Sequence, residues 1–295
     1  MKRISSPRLD SLYALILLAV VAMILPFSSL AGTSPAGDKL KPEEIVAKNL
    51  EAIGTAEARA KVHSRIVGGT VVATFVAPGT GQFKGRAVLA SEGNKNLLAM
   101  IFETANYSGE NIAFDGQNVT VGYARAGVRS NLGDLVWTYR PIVKQGLVGG
   151  ELSQAWPLFN LSETKPKLGG GGTKKIGGGT AYEVKLIPRG GSDLEINLFF
   201  DSETFQHLRT EYTHVVLPQL GANVNASASQ RPTRYKVIEE FSDFKKEGEL
   251  TLPHTYKISL ELDTQTPFRG NWELTLDQFA FNQSIPPGMF NVAPK

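Results

Sequence analysis

Strict alternation near the C-terminus constrains this chain more than any other feature. From Leu250 to Leu262 the residues Leu250, Leu252, His254, Tyr256, Ile258, Leu260 and Leu262 share one parity. Thr251, Pro253, Thr255, Lys257, Ser259 and Glu261 share the other. A strand points successive side chains to opposite faces, so the pattern predicts a long antiparallel strand with one greasy and one wet face. The same period recurs where Tyr182, Val184 and Leu186 alternate with Glu183 and Lys185, and again over residues 194–200. A broad sheet follows, and its apolar face needs a cover.

Further strands are predicted over residues 71–77, 83–90, 96–103, 111–114, 118–123, 205–216, 235–241 and 272–281, each bounded by turn residues. Leu97 to Phe102 is apolar on both parities, so that strand should be covered on both faces. Asp115-Gly116 is a strong hairpin turn. Ahead of the strands, Pro42 suits a first helical position, and Glu43 and Glu44 suit the positive end of a helix dipole. Ile45, Val46, Asn49, Leu50 and Ile53 form a helical stripe that Gly54 ends.

Between residues 132 and 161 the period of two is lost. Leu135, Trp137, Tyr139, Ile142, Val143, Leu147, Leu152, Trp156, Leu158 and Phe159 read as short helices broken at Pro141, Gly149-Gly150 and Pro157. Gly169 to Gly172 reads as a flexible stretch and Gly177 to Gly179 as a turn. The polar segment 221–231 reads as a mobile loop. No internal repeat or domain linker is evident. The expected organisation is a signal peptide over residues 1–31, a linker over 32–40 and a single β domain over 41–295, with a helical insert at about 131–165.

The N-terminus is read as an export signal. Lys2, Arg3 and Arg8 precede an apolar run from Leu12 to Leu25, and Ser29-Leu30-Ala31 ends in a small residue suited to cleavage. The run is short for a bilayer span, which takes about 20 residues. The alternative is an uncleaved N-terminal anchor. Cleavage near Gly32 would leave a chain that does not span a membrane. The sequence has no cysteine, which excludes a disulfide framework, a thiolate metal site and a lipid-modified N-terminal cysteine. The pI of 8.9 overstates the basicity. Removing Lys2, Arg3, Arg8 and Asp10 takes the formal charge from +3 to +1. No basic block remains, and nucleic-acid binding loses its electrostatic footprint.

Catalytic and metal motifs fail on spacing and context. The glycine run is followed by Thr173-Lys174-Lys175 and a strand, whereas a phosphate loop requires a lysine and a hydroxyl residue leading into a helix. His207 and His214 differ by seven, so in an unbroken strand they face opposite sides and share no metal. His207 joins Arg209 and Glu211 on the wet parity. His254 interrupts a greasy face and can be read as a ligand contact or as a core residue with a hydrogen-bond partner. Glu239, Glu240 and Asp243 read as solvated edge charges. There is no nucleophile elbow and no His-Glu-x-x-His. The expectation is a non-enzyme without cofactor or metal.

Three phrases carry a resemblance. Leu198-Phe199-Phe200-Asp201-Ser202-Glu203-Thr204 resembles a strand and Asp-x-Glu-Thr turn; Phe241-Ser242-Asp243-Phe244 with Leu252-Pro253 resembles a "Tyr-Ser-Asp-Tyr … Leu-Pro" segment; and Pro286-Pro287-Gly288-Met289-Phe290-Asn291-Val292 resembles a "Phe-x-Val" ending. With the signal, first helix and mid-chain insert, the whole order resembles the LolA/LolB-like superfamily of periplasmic lipoprotein carriers and lipid-sensing envelope domains. The resemblance implies mainly antiparallel β with helices (α+β): a strongly curved, unclosed barrel whose hollow is plugged by helices and receives acyl chains. The family's lid-locking arginine has no matching motif here, and Gly146 to Gly150 and Trp156-Pro157 have no counterpart.

These readings lead to a soluble periplasmic carrier for lipoproteins or other acylated lipids, exchanging cargo with inner- and outer-membrane envelope proteins. The alternative is a sensor or structural protein that binds a protein partner through the same face. The expected ligand-binding residues are Trp137, Tyr139, Trp156 and Phe159 on a lid, closing over Leu252, His254, Tyr256 and Ile258.

Overall fold

The alternating segments become twelve strands: β1 (Ser64–Ala77), β2 (Gly81–Glu92), β3 (Lys95–Ile101), β4 (Gly109–Phe114), β5 (Val119–Val121), β6 (Lys167–Ile176), β7 (Gly179–Ile187), β8 (Glu195–Asp201), β9 (His207–Val216), β10 (Thr233–Glu247), β11 (Leu250–Asp263) and β12 (Phe268–Phe281). The structure is a computed structural model, described for residues 40–77, 79–217, 232–263 and 267–292. The export signal, most of the linker and the loop at 221–231 lie outside the described residues. Leu40 to Lys295 group as one compact unit.

All twelve strands pair antiparallel in one sheet, in the order β5-β4-β3-β2-β1-β12-β11-β10-β9-β8-β7-β6. The outer members, β5 and β6, do not pair with each other, so the sheet is unclosed. They are nevertheless consecutive in the chain. The residues between them must travel from one edge of the sheet to the other, and the shortest cover for the apolar face is that crossing segment. It holds α3 (Asn131–Thr138), α4 (Arg140–Lys144), two 3-10 turns at Gly150–Leu152 and Pro157–Asn160, and α5 (Leu161–Thr164). The N-terminal α1 (Pro42–Ile53) and the short α2 (Ala56–Ala60) precede β1.

Burial follows the parity. Tyr256, Ile258 and Leu260 are buried, while Lys257, Ser259 and Glu261 are half-buried. Pro253 departs from the pattern and is also buried. In α1 the stripe Ile45, Val46, Asn49 and Ile53 is buried, against β11 and β6. The two-sided burial of β3 has a direct cause. Leu98 and Met100 face the main core, whereas Leu97 and Ala99 join a smaller outer cluster with Ala90, Ala113, Ile285 and Phe290. The C-terminal turn Pro287–Phe290 lies over that outer face.

Three expectations are corrected. Gly169 to Gly172 belongs to an edge strand, β6, paired to β7 with a register shift between Gly170 and Gly172. Backbone bonds alone make that ladder, so side chains are not required. His207 is fully buried instead of sharing the wet face. The β8–β9 register passes from Phe199↔Arg209 to Phe200↔His207, and this irregularity at Leu208 turns His207 inward. Glu239 is buried as well, on the face that carries Val237 and Phe241.

Candidate functional site

The insert is held over the sheet by polar side chains that rise from many strands. Glu239 on β10 accepts from the Gly149 amide (2.8 Å), from the Tyr212 hydroxyl (2.7 Å) and from the Tyr256 hydroxyl. Tyr212 Oη also lies 2.9 Å from the Leu147 carbonyl. A phenol has one proton to give, so Tyr212 shares it between Glu239 and the Leu147 carbonyl. Burial pushes the Glu239 carboxyl above its ordinary value, against the pull of its three hydrogen bonds. Burial thus makes the Glu239 carboxyl hold its proton more tightly than it would in water.

Two other buried groups repeat this arrangement. Glu110 on β4 accepts from Ser130 Oγ (2.6 Å) and Tyr107 Oη (2.7 Å). Ser130 in turn caps α3 by accepting from the Gly133 amide at 2.8 Å. Burial pushes the Glu110 carboxyl up to about 7. From β1, the buried Arg65 donates to the Glu151 carbonyl in the insert. Burial pushes the Glu151 carboxyl up to about 8, with Arg65 drawing it back in part. Burial also pushes Arg65 down to about 10, opposed by Glu151. Neutral partners add Asn96 Nδ2 donating to the Val143 carbonyl (3.2 Å) and Ser91 Oγ accepting from the Gln154 amide (2.9 Å).

An aromatic ladder joins insert and sheet between these clamps. Trp156 stacks on His207 with ring centroids 5.1 Å apart, His207 lies 4.7 Å from Phe241, and Phe241 stacks on Tyr256 at 5.1 Å. Burial pushes His207 down to about 3, so its ring is a neutral member of the ladder. Gly150 presses on it: a Cβ there would meet Phe241 Cζ at 2.8 Å. Gly149 and Gly150 have φ of 84° and 50°, the left-handed region where glycine is least strained. The chain reverses here between α4 and the ladder.

Beneath α3 and α4 an apolar void of about 30 Å³ remains, lined by Leu98, Ile112, Leu135, Val136, Val237 and Ile258 among others. Strands far apart in the sheet order meet at this one cavity, which shows how strongly the sheet curves. Two open grooves flank α4. One, about 850 Å³, runs past Lys144, Trp156, Phe159 and Leu186. The other, about 590 Å³, runs past Tyr139, Ile142, Ile196 and His214. Pro141 and Leu147 border both.

The residues expected to bind a ligand divide into several groups. Trp156 and Tyr256 are brought into one stack by His207 and Phe241, and Phe159 packs edge-on to Trp156 at 5.4 Å. Ile258 lines the inner void. Tyr139 meets His214 at 5.3 Å by the second groove. Leu252 is fully buried, and His254 lies farther along β11, with Nε2 3.1 Å from Glu247 Oε1 and its ring 4.7 Å from Phe279. Trp137 lies on the outer surface of α3, 37% exposed, between the guanidinium groups of Arg129 and Arg140. Among the described residues no group of three His, Cys, Asp or Glu could hold a metal ion. No described helix is long and apolar enough to cross a membrane.

No protein-family model matches the sequence, and no curated protein matches it. Solved structures do. The chain is similar to a LolA superfamily protein from Nitrosomonas europaea, at 15% identity and a TM-score of 0.45, over 85% of this chain and 98% of that one. It is similar to a domain described as an outer membrane lipoprotein-sorting protein from Vibrio parahaemolyticus, at 14% identity and a TM-score of 0.41, over 83% and 97%. A third likeness is to the Mycobacterium tuberculosis lipoprotein LppX, at 12% identity and a TM-score of 0.24, over 82% and 97%. The fold itself rests on the strand order and register.

Proposed function

We propose that this chain is a periplasmic carrier for acylated, hydrophobic cargo, with α3 and α4 as a lid over the sheet. The carrying observation is the kind of cover the apolar face has. A segment that links the two unpaired edges lies over a small apolar void, turns at left-handed glycines and is gripped by hydrogen bonds to Glu239, Glu110 and Arg65. Each grip is discrete and can be released, whereas the sheet beneath is one continuous ladder. The void is too small for an acyl chain, so cargo would enter only when the lid lifts. The flanking grooves fall within or near the roughly 300–1,000 Å³ of ordinary ligand pockets and offer entry on either side of α4.

In this reading Leu135, Val136 and Ile142 on the lid, and Leu98, Ile112 and Ile258 on the sheet, become the walls around the acyl chain. Phe159 and Tyr139 stand at the groove mouths with Trp156 buried behind Phe159, and the carrier takes no catalytic step. A hydrophobic fluorescent probe tests it. Folded protein should bind the probe and release it to a phospholipid or an acylated peptide, with far-ultraviolet dichroism unchanged. No probe binding by folded protein, or binding that lipid leaves untouched, would overturn the reading and leave a plugged structural barrel.

A further inference from the structure

The outer face of the lid carries a feature that neither the core nor the clamps use. Trp137 stands exposed on α3 with Arg129 and Arg140 each 4.4 Å from its ring. Arg129 also lies 5.6 Å from the exposed ring of Tyr123. Arg140 Nη1 is fixed by a 2.6 Å bond to the Trp137 carbonyl. Beside them Arg125 and Val128, both exposed, close a small hairpin. From Tyr123 to Lys144 the chain has four cations (Arg125, Arg129, Arg140 and Lys144) against one carboxylate, Asp134. Asp134 lies 3.8 Å from Arg129 and offsets only part of that charge.

We propose that this face docks on the surface of a bilayer containing anionic phospholipid. The chemistry matches on both counts. Tryptophan and tyrosine favour the headgroup level of a membrane, where an apolar ring and a polar edge are both satisfied. Arginine near an anionic surface adds about 1 kcal/mol of attraction, roughly fivefold in partition. An acidic protein would answer the charge, but it would not by itself account for Tyr123, Val128 and Trp137 standing exposed among the arginines. Arg140 and Arg125 are exposed and can meet phosphate oxygens while the ring enters the headgroup layer. The patch lies on the outside of the proposed lid, yet docking does not depend on the lid opening, so the two ideas can fail separately.

The test is co-sedimentation of the full chain with vesicles of 30% phosphatidylglycerol in phosphatidylcholine, and with vesicles of phosphatidylcholine alone. Trp156 and Trp272 are buried, so a blue shift of tryptophan emission on binding reports on Trp137. Binding should favour the anionic vesicles, weaken with salt and carry the blue shift. The exposed-site variants Trp137→Ala and Arg125→Glu/Arg140→Glu should keep the fold by circular dichroism. Partition should fall in the first, and by at least about thirtyfold in the second, since each arginine lost removes about fivefold and the added carboxylates repel the surface. All variants share the same N-terminus, so any difference isolates the patch. Absent binding to anionic vesicles would overturn the proposal. So would binding that neither variant changes. Loss on charge reversal alone, with no blue shift and no effect of Trp137→Ala, would mean charge adsorption without entry of the ring into the headgroup layer, and would overturn the proposed docking through Trp137.

Discussion

The strands around β11 and the insert between β5 and β6 are held in opposite ways. In β11 the alternation from Leu250 to Leu260 buries one side chain after another in a shared apolar core, and a continuous backbone ladder does the rest. In the insert the helices are short; Leu135, Val136, Ile142, Val143, Leu147, Leu152 and Trp156 share that core, and a set of single side chains reaching up from the sheet adds directional bonds: Arg65, Ser91, Asn96, Glu110, Tyr212 and Glu239. Apolar burial is non-directional and fails only when much of the core fails. A buried hydrogen bond to a titratable group is directional and fails when one proton or one atom changes. The proposed carrier role requires the sheet to stay while the directional bonds of the insert are released.

That contrast is broken most widely by pH. Glu110 is pushed up to about 7 and Glu151 to about 8, and Glu239 is raised as well, each by burial. Between the ordinary carboxylate value and about 8 the folded chain therefore holds protons that the unfolded chain has released. Stability should fall as pH rises through this window, least below about 6.5 where the buried neutral His207 opposes the trend, and flatten above about 8. Each tenfold gain in proton affinity on folding is worth about 1.4 kcal/mol, so Glu110 and Glu151 account for a loss of several kcal/mol, and Glu239 acts in the same direction. Denaturant midpoints from pH 5 to 9 measure it, and probe binding should rise over the same range. A flat profile would remove the titrating clamps from the account.

Next in size is Ile258→Ala, which takes a buried side chain from the wall of a cavity that already exists. It should cost about 2–5 kcal/mol of global stability by chemical denaturation. Tyr256→Phe should cost less, about 1–3 kcal/mol, because Glu239 loses one donor while the ring stays stacked on Phe241. The two substitutions lie two residues apart on one strand, yet only the tyrosine variant should raise probe binding without a matching loss of the sheet. Gly149→Ala meets nothing closer than Leu89 at 3.5 Å, so its penalty comes from the left-handed backbone, about 1–2 kcal/mol. It too should favour the released lid. Smallest is Ser259→Ala on the wet face, at about 0.5–1.5 kcal/mol, for the bond to Asn271 Oδ1 (2.6 Å). Parity alone suggests a smaller effect, because it does not show that cross-strand partner.

Strand parity is sufficient to place the greasy faces and the need for a cover, because a period of two survives tertiary packing. The grip on the insert is also written in that parity, though reading Glu239 as an edge charge misses it. Arg65 shares its parity with Val67, Val71 and Ala73; Glu110 shares it with Ile112 and Phe114; Glu239 shares it with Val237 and Phe241. A charge on an apolar parity is the same kind of signal that singles out His254. His207 cannot be found this way, since the irregularity at Leu208 reverses its face without any mark in the local sequence. The outward position of Trp137 is hidden for a related reason. An aromatic residue on a short helix has no period long enough to show which side is covered.

Native-state hydrogen exchange tests most directly whether the insert can part from an intact sheet. Amides of α3 and α4, with that of Gly149, should open at a free energy well below that of the Tyr256–Leu260 amides in β11. At pH 8 the insert should open more readily than at pH 5, out of proportion to any change in β11. Exchange of the insert and β11 at one common free energy, with one common pH dependence, would contradict the account and make the cover a permanent part of the core.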